Sequence, residues 1–176
     1  GAPRREIGIR TFFNILGPMT NPAGAQSLVV GIADPAFGER MALAYGQLGC
    51  KHVLIVHGSD GADELTLTGP SQIWEMKGGE VSHYELKLED VGLEPCAPEA
   101  LKGSVAEDNA ETLERVLGGE IGPLHRAIAL NAGAGMYVAS TVSSLKEGVE
   151  AARKVLSSKA ALATLKKLVK VSNQQG

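Results

Sequence analysis

A chain of 176 residues, 44% hydrophobic and 21% charged, is long enough to bury one substantial core and leaves little room for a second independent fold. A net charge of −3 and a pI near 5.8 provide no overall attraction to phosphate backbones or anionic membranes, so neither nucleic acid nor membrane is expected as a partner. Two cysteines make no disulfide framework, and nothing reads as a secretion leader or as the roughly eighteen-residue apolar run of a membrane span, so Cys50 and Cys96 are expected as buried thiols in a cytoplasmic protein.

In chain order, residues 1–25 are rich in Gly, Pro and Asn and carry Arg4, Arg5 and Arg10, which predicts a loop with one short helical stretch at 11–16. Residues 27–33 form an apolar, β-branched run closed by Asp34 and Pro35, a strand and turn leading into a helix over 37–48. Gly49 is placed to stop that helix as its first residue beyond the cap. The run from His52 to His57 is continuously apolar between its ends, as in a strand buried on both faces, so the three elements predict a βαβ unit. Over 65–88 the pattern alternates, with Lys77-Gly78-Gly79-Glu80 as the turn, which predicts an antiparallel hairpin and hence a mixed sheet. Helical periodicity returns over 106–117, ended by Gly118-Gly119, then over 123–139, and as one or two amphipathic helices over 144–170. Residues 172–176 read as a frayed tail, and the lysines of the last helices as the solvated face of amphipathic segments, with no aromatic residues interleaved for base stacking.

Two segments carry chemistry. The first, Ala2-Pro-Arg4-Arg5-Glu-Ile-Gly-Ile-Arg10-Thr-Phe-Phe-Asn14-Ile-Leu-Gly17-Pro18-Met-Thr-Asn21-Pro22-Ala23, sets three arginines on a loop, where planar guanidinium forks can grip a carboxylate or phosphate. Charge alone favours the plainer reading of solvated surface arginines, since exposed arginine is common. The second, His57-Gly58-Ser-Asp60-Gly61-Ala62-Asp63-Glu64-Leu-Thr66, is a glycine-broken loop at the carboxyl end of a buried strand, where ligands bind in open α/β sheets. A strand would send Asp63 and Glu64 to opposite faces, whereas a loop lets both turn toward a hard cation that takes oxygen ligands, although the residues alone fit a pair of exposed charges or a helix-starting Asp better. His57 and Asp60 read as a packing residue and a turn residue.

The first segment resembles, almost residue for residue, the stretch of anthranilate phosphoribosyltransferases that runs Arg-Lys/Arg-x-x-Gly-x-Arg-Thr-x-Phe-Asn-x-Leu-Gly-Pro-x-x-Asn-Pro-Ala. The resemblance implies that Arg4 contacts the anthranilate carboxylate, with Arg5 and Arg10 behind it, while Asn14, Gly17-Pro18 and Asn21-Pro22 hold the loop's shape. The second is similar to the family's His-Gly-x-x-Gly-Leu-Asp-Glu-x-Ser/Thr, which implies Asp63 and Glu64 as Mg2+ ligands, Ala62 standing where leucine is usual. A third stretch, residues 101–110 and Leu130-Asn131-Ala132, is similar to Leu-x-Gly-Gly-Asp-x-x-x-Asn-Ala and Leu-Asn-Ala, but Gly103-Ser104-Val105 departs from Gly-Gly-Asp.

The implied fold is α/β, a mixed and largely parallel central sheet flanked by helices, as in the carboxyl-terminal domain of the nucleoside phosphorylase and phosphoribosyltransferase fold. Residues 1–25 would be the substrate-binding lead-in, 26–171 the α/β domain and 172–176 the tail. The implied reaction joins anthranilate to ribose C1 of phosphoribosyl diphosphate (PRPP) with release of pyrophosphate, on the way to tryptophan, with no side-chain nucleophile or base assigned. The family's Gly-Thr-Gly-Gly-Asp loop and Lys-His-Gly-Asn segment do not occur in these 176 residues, so the chain is expected to be a fragment, inactive alone, of an enzyme that is a homodimer at full length. Three other readings compete. A pyrimidine nucleoside phosphorylase shares the fold and works at the same ribose carbon, but the Arg4 segment matches the transferases. A noncatalytic nucleic-acid-binding relative is disfavoured by the acidic pI and the intact Asp63-Glu64 pair, and a free-standing regulatory or assembly domain is left for native mass to decide.

Overall fold

The computed structural model describes residue 17 and residues 19–175. The helical stretch expected over 11–16, together with Arg4, Arg5, Arg10, Asn14 and Pro18, lies outside the described residues.

The expected βαβ unit is present. Strand β1 (Ser27–Gly31) is followed by a short 3-10 turn, Pro35–Phe37, whose first amide is capped where the Asp34 carboxylate accepts from Ala36 N–H at 3.0 Å. Helix α1 (Gly38–Gln47) then runs back and ends where Gly49 takes a φ of +85°, which a residue with a side chain rarely adopts. Strand β2 (His52–Gly58) pairs parallel with β1, Ser27 opposite His52 and Gly31 opposite Val56. β1 stops two residues short of the expected 33, just before the turn begun by Asp34.

The hairpin also forms, as β3 (Ser71–Lys77) and β4 (Glu80–Leu86), turned by Gly78 and Gly79 at φ of +59° and +92°. Residues 65–70 join neither strand, because their backbone groups bond to side chains and to other loops. The strand order is β1-β2-β3-β4, a mixed sheet as expected. Among the described residues parallel pairing is confined to β1 and β2, where α1 supplies the crossover; the β2–β3 and β3–β4 pairings are antiparallel. The sheet is thus mixed but not largely parallel as expected, because a hairpin adds two strands without a crossover.

Alternation along the strands divides the core in two. Val53 and Ile55 of β2 pack with Trp74 and Met76 of β3 against Met41, Ala42 and Tyr45 of α1. Leu54, Val56 and Ile73 face the other way, toward helices α3 (Pro123–Val138) and α4 (Leu145–Ser157). α3 and α4 cross at two glycines: a Cβ on Gly148 would overlap the Gly133 carbonyl group, and one on Gly133 would meet Val149 N at 2.5 Å. Helix α2 (Ala106–Leu117) precedes them and α5 (Ala160–Ser172) follows, so the amphipathic stretch over 144–170 is two helices, broken at Lys159, whose φ is +61°. The expected tail is helical as far as Gln175, as a 3-10 turn, Asn173–Gln175, continuing α5. Cys50 and Cys96 are free thiols, half-buried instead of fully buried. Among the described residues no helix is long and apolar enough to cross a membrane.

Candidate ligand cleft at the β2–β3 loop

The parallel strands point their carboxyl ends at one rim of the molecule, and the loop from β2 to β3 stands there. It leaves β2 by a tight turn: Gly61 N–H donates to the Gly58 carbonyl at 2.9 Å, and Gly58 N–H to the Ala62 carbonyl at 2.9 Å. Gly61 has a φ of +86°, so the turn needs glycine. A Cβ on Gly58 would sit 2.6 Å from Asp60 Oδ1, so a larger residue there would displace the Asp60 carboxylate.

Asp60 does more than initiate that turn. Its Oδ1 accepts from Ala62 N–H at 3.1 Å, and its Oδ2 accepts from the hydroxyls of Thr66 and Thr68, each at 2.7 Å. Desolvation pushes the carboxyl up, but these hydrogen bonds to its charged form outweigh it and hold Asp60 below the ordinary carboxylate range. The committed lone pairs make Asp60 the loop's internal fastener.

Two further contacts tie the loop to the rest of the fold. Gly31 lies directly against the Asp63 backbone, so close that a Cβ on Gly31 would overlap the Asp63 carbonyl group. From α3, Asn131 Oδ1 accepts from Leu65 N–H at 3.1 Å while its Nδ2 donates to the Leu65 carbonyl at 2.9 Å and to the Ala127 carbonyl at 3.2 Å. His57 is a packing residue, as expected: its Nδ1 is 2.8 Å from the Ile32 carbonyl, fixing the end of β1.

Asp63 and Glu64 are exposed between these fasteners, and among the described residues neither carboxylate is engaged in a hydrogen bond or ion pair. Glu64 lines a cleft of about 760 Å³ that also takes in Asp60, Thr66, Asn131, Glu99 and Lys102 on its polar side and Pro98, Leu101, Leu124, Ala127 and Ile128 on its apolar side. Asp63 lies beside Glu64 in the chain and outside the cleft lining. The described residues include no cluster of three or more His, Cys, Asp or Glu side chains suited to a metal ion. Asn131 and the Gly31 contact are the parts of this arrangement that the sequence reading left without a role. Their signal in the sequence was a glycine in an apolar strand and the asparagine of the Leu130-Asn131-Ala132 stretch, to which no role was attached.

A second buried polar group, also not anticipated, lies at the other end of the same sheet face. Glu75 of β3 accepts from Tyr84 and Tyr137 hydroxyls and meets His52 Nε2, each at 2.8 Å. Desolvation raises Glu75, but its hydrogen bonds from Tyr137, Tyr84 and His52 and the His52 charge prevail and hold it low; burial and this carboxylate push Tyr137 up to about 12. This network joins β2, β3, β4 and α3 and stands apart from the cleft lining.

The model of the "Glycosyl transferase family, a/b domain" matches residues 1–162. The chain is 47% identical over 171 residues to the anthranilate phosphoribosyltransferase of Nitrosomonas eutropha, covering 97% of this chain and 50% of that protein. It superposes on the anthranilate phosphoribosyltransferase of Thermus thermophilus with a TM-score of 0.87 at 48% identity, over 95% of this chain and 49% of that one. The Saccharomyces cerevisiae enzyme in complex with PRPP and Mg gives a TM-score of 0.83 at 26% identity, over 93% of this chain and 47% of that one. The chain thus spans about half the length of the relatives it matches. On the match of residues 1–162, this chain belongs to the glycosyl transferase family through its a/b domain.

Proposed function

We propose that this chain is the metal-binding and anthranilate-facing part of an anthranilate phosphoribosyltransferase, which transfers the phosphoribosyl group of PRPP to the amine of anthranilate and releases pyrophosphate. One observation carries the reading. Two adjacent carboxylates, free of other partners among the described residues, stand on a loop fastened at Asp60, Gly31 and Asn131, at the carboxyl end of the parallel strands. Loose surface carboxylates would have no need of such fastening.

The donor set fits Mg2+. Asp63 and Glu64 supply hard oxygen ligands, and the lack of a third clustered ligand among the described residues suits an ion that keeps waters and takes its remaining oxygens from substrate phosphates. When bound, Mg2+ would offset the negative charge that builds on departing pyrophosphate. The chain's own residues orient and hold. Asp60, with its lone pairs committed to Thr66 and Thr68, keeps the loop rigid and stays anionic beneath it. Arg4 would grip the anthranilate carboxylate through paired N–H donors. An aromatic amine is already nucleophilic, so no side chain need remove a proton before attack, and the rate advantage comes from placement.

The test is made in a protein of the relatives' full length. Arg4→Ala is expected to lower kcat/KM for anthranilate about tenfold to a hundredfold, the worth of a charge-assisted hydrogen bond, while KM for PRPP holds. Unchanged anthranilate kinetics would remove Arg4 from the site. The 176 residues alone are expected to give no turnover, because they lack the glycine-rich loop whose backbone amides cradle phosphates in the family.

A further inference from the structure

Asn131 sits 66 residues from Leu65 in sequence, in the middle of α3, yet it treats Leu65 as a neighbouring strand would. Its amide group accepts from the Leu65 N–H and donates to the Leu65 carbonyl, satisfying both backbone groups of one residue at once. Leu65 itself is 1% exposed, so in the folded chain both groups are shielded from water and rely on the Asn131 amide. The third bond, to the Ala127 carbonyl one turn earlier in the helix, holds the Asn131 side chain in the orientation that makes this double contact. Leu65 directly follows Glu64, and the loop's next anchor in the other direction is the Asp63 backbone against Gly31. The two carboxylate-bearing residues are therefore suspended between a contact with β1 and a clamp from α3.

We propose that Asn131 is a positioning residue: it sets the backbone that presents Asp63 and Glu64, so that the affinity of this pair for a divalent cation depends on a side chain that does not touch the cation. The clamp stands on geometry alone; its consequence for cation affinity rests on the reading of Asp63 and Glu64 as ligands. A chemical reason favours asparagine here. Aspartate keeps an oxygen for the Leu65 N–H but loses both donors and adds a further negative charge to the cleft that Glu64 lines. Alanine abolishes all three bonds.

The experiment follows the amide hydrogen exchange of Leu65, of α3 and of β2 in the chain and in Asn131→Ala and Asn131→Asp, and titrates each protein with Mn2+ read by electron paramagnetic resonance, with Asp63→Asn as reference. In Asn131→Ala the Leu65 amide is expected to exchange about tenfold faster with α3 and β2 unchanged, and Mn2+ affinity to fall about tenfold, in the direction of Asp63→Asn. Asn131→Asp should expose Leu65 less than alanine does, and it serves as the readable variant should Asn131→Ala fail to fold. Unchanged Leu65 exchange would overturn the proposal. So would exchange that quickens in step throughout α3 and β2, which would make Asn131 a packing residue, or Mn2+ affinity that falls in Asp63→Asn and holds in Asn131→Ala. If Leu65 alone quickens while the parent chain and Asp63→Asn bind Mn2+ alike, the clamp stands and the ligand reading of Asp63 and Glu64 fails.

Discussion

Gly31 illustrates how much of the cleft depends on an atom that is missing. Its backbone is ordinary strand, so alanine would cost nothing in local conformation; what excludes it is the Asp63 carbonyl lying in the space a methyl would occupy. Gly31→Ala is expected to push the Asp63 backbone away and to destabilise the fold by about 1 to 3 kcal/mol, the usual range for overpacking a close contact. Urea titration checks the energy, and the Asp63 and Glu64 amide resonances should move further than those of α4. Equal movement throughout would place the strain elsewhere. Asp63 and Glu64 stood out in the sequence as adjacent acids in a glycine-broken loop, but a ligand role was implied by the resemblance to the transferases and not by the pattern alone. Gly31 did not stand out, since glycine in a strand has many causes and the residue it meets is 32 positions away.

Among the elements, the crossing of α3 over α4 is the contact most sensitive to size. Gly133 and Gly148 bring two helix backbones together without side chains between them, which draws α4 onto α3 and steadies the helix that carries Asn131. Gly148→Ala is expected to destabilise by about 1 to 3 kcal/mol, seen as a lower urea midpoint at an unchanged slope. Gly135 of the same helix is the contrast. A Cβ there meets nothing within 4 Å, and Gly135→Ala is expected to raise stability by about 0.5 to 1 kcal/mol through helix propensity. If both substitutions moved the midpoint the same way, the close-crossing account of Gly148 would be wrong. The periodicity of 123–139 predicted the helix but not this, because two glycines fifteen residues apart pair only when the chain folds back.

For the whole molecule, acid should act in two stages. His125 is 4% exposed, and among the described residues neither ring nitrogen has a hydrogen-bond partner. Burial, and then the charge of Arg153, hold it neutral below its ordinary range. Its folded pKa is thus below the unfolded value of about 6.5, the unfolded chain binds the extra proton, and stability falls as pH drops through that value. Asp60 and Glu75 act lower down: both are depressed in the fold, so their contribution is present above the unfolded carboxylate values near 4 and is lost as pH falls through their folded ones. Urea midpoints measured across pH should decline first near pH 6.5 and more steeply below about pH 4. His125→Leu should remove the first decline and leave the second; a first decline that survives would locate it in another group.

The order of elements, the βαβ unit, the Gly-Gly hairpin and the acidic loop were all readable along the chain, because each is set by neighbours within a few residues: apolar period, turn glycines and capping groups. Tertiary structure alone decided how the loop is fastened, through Gly31, Asp60 with its two threonines, and Asn131, and how Glu75 is buried among His52, Tyr84 and Tyr137. Those contacts join residues as much as 66 positions apart, and their energy comes from atoms that meet only after the sheet and α3 have packed. Composition and periodicity register what a residue is and how often its kind recurs, whereas a hydrogen bond depends on where two groups finally come to lie.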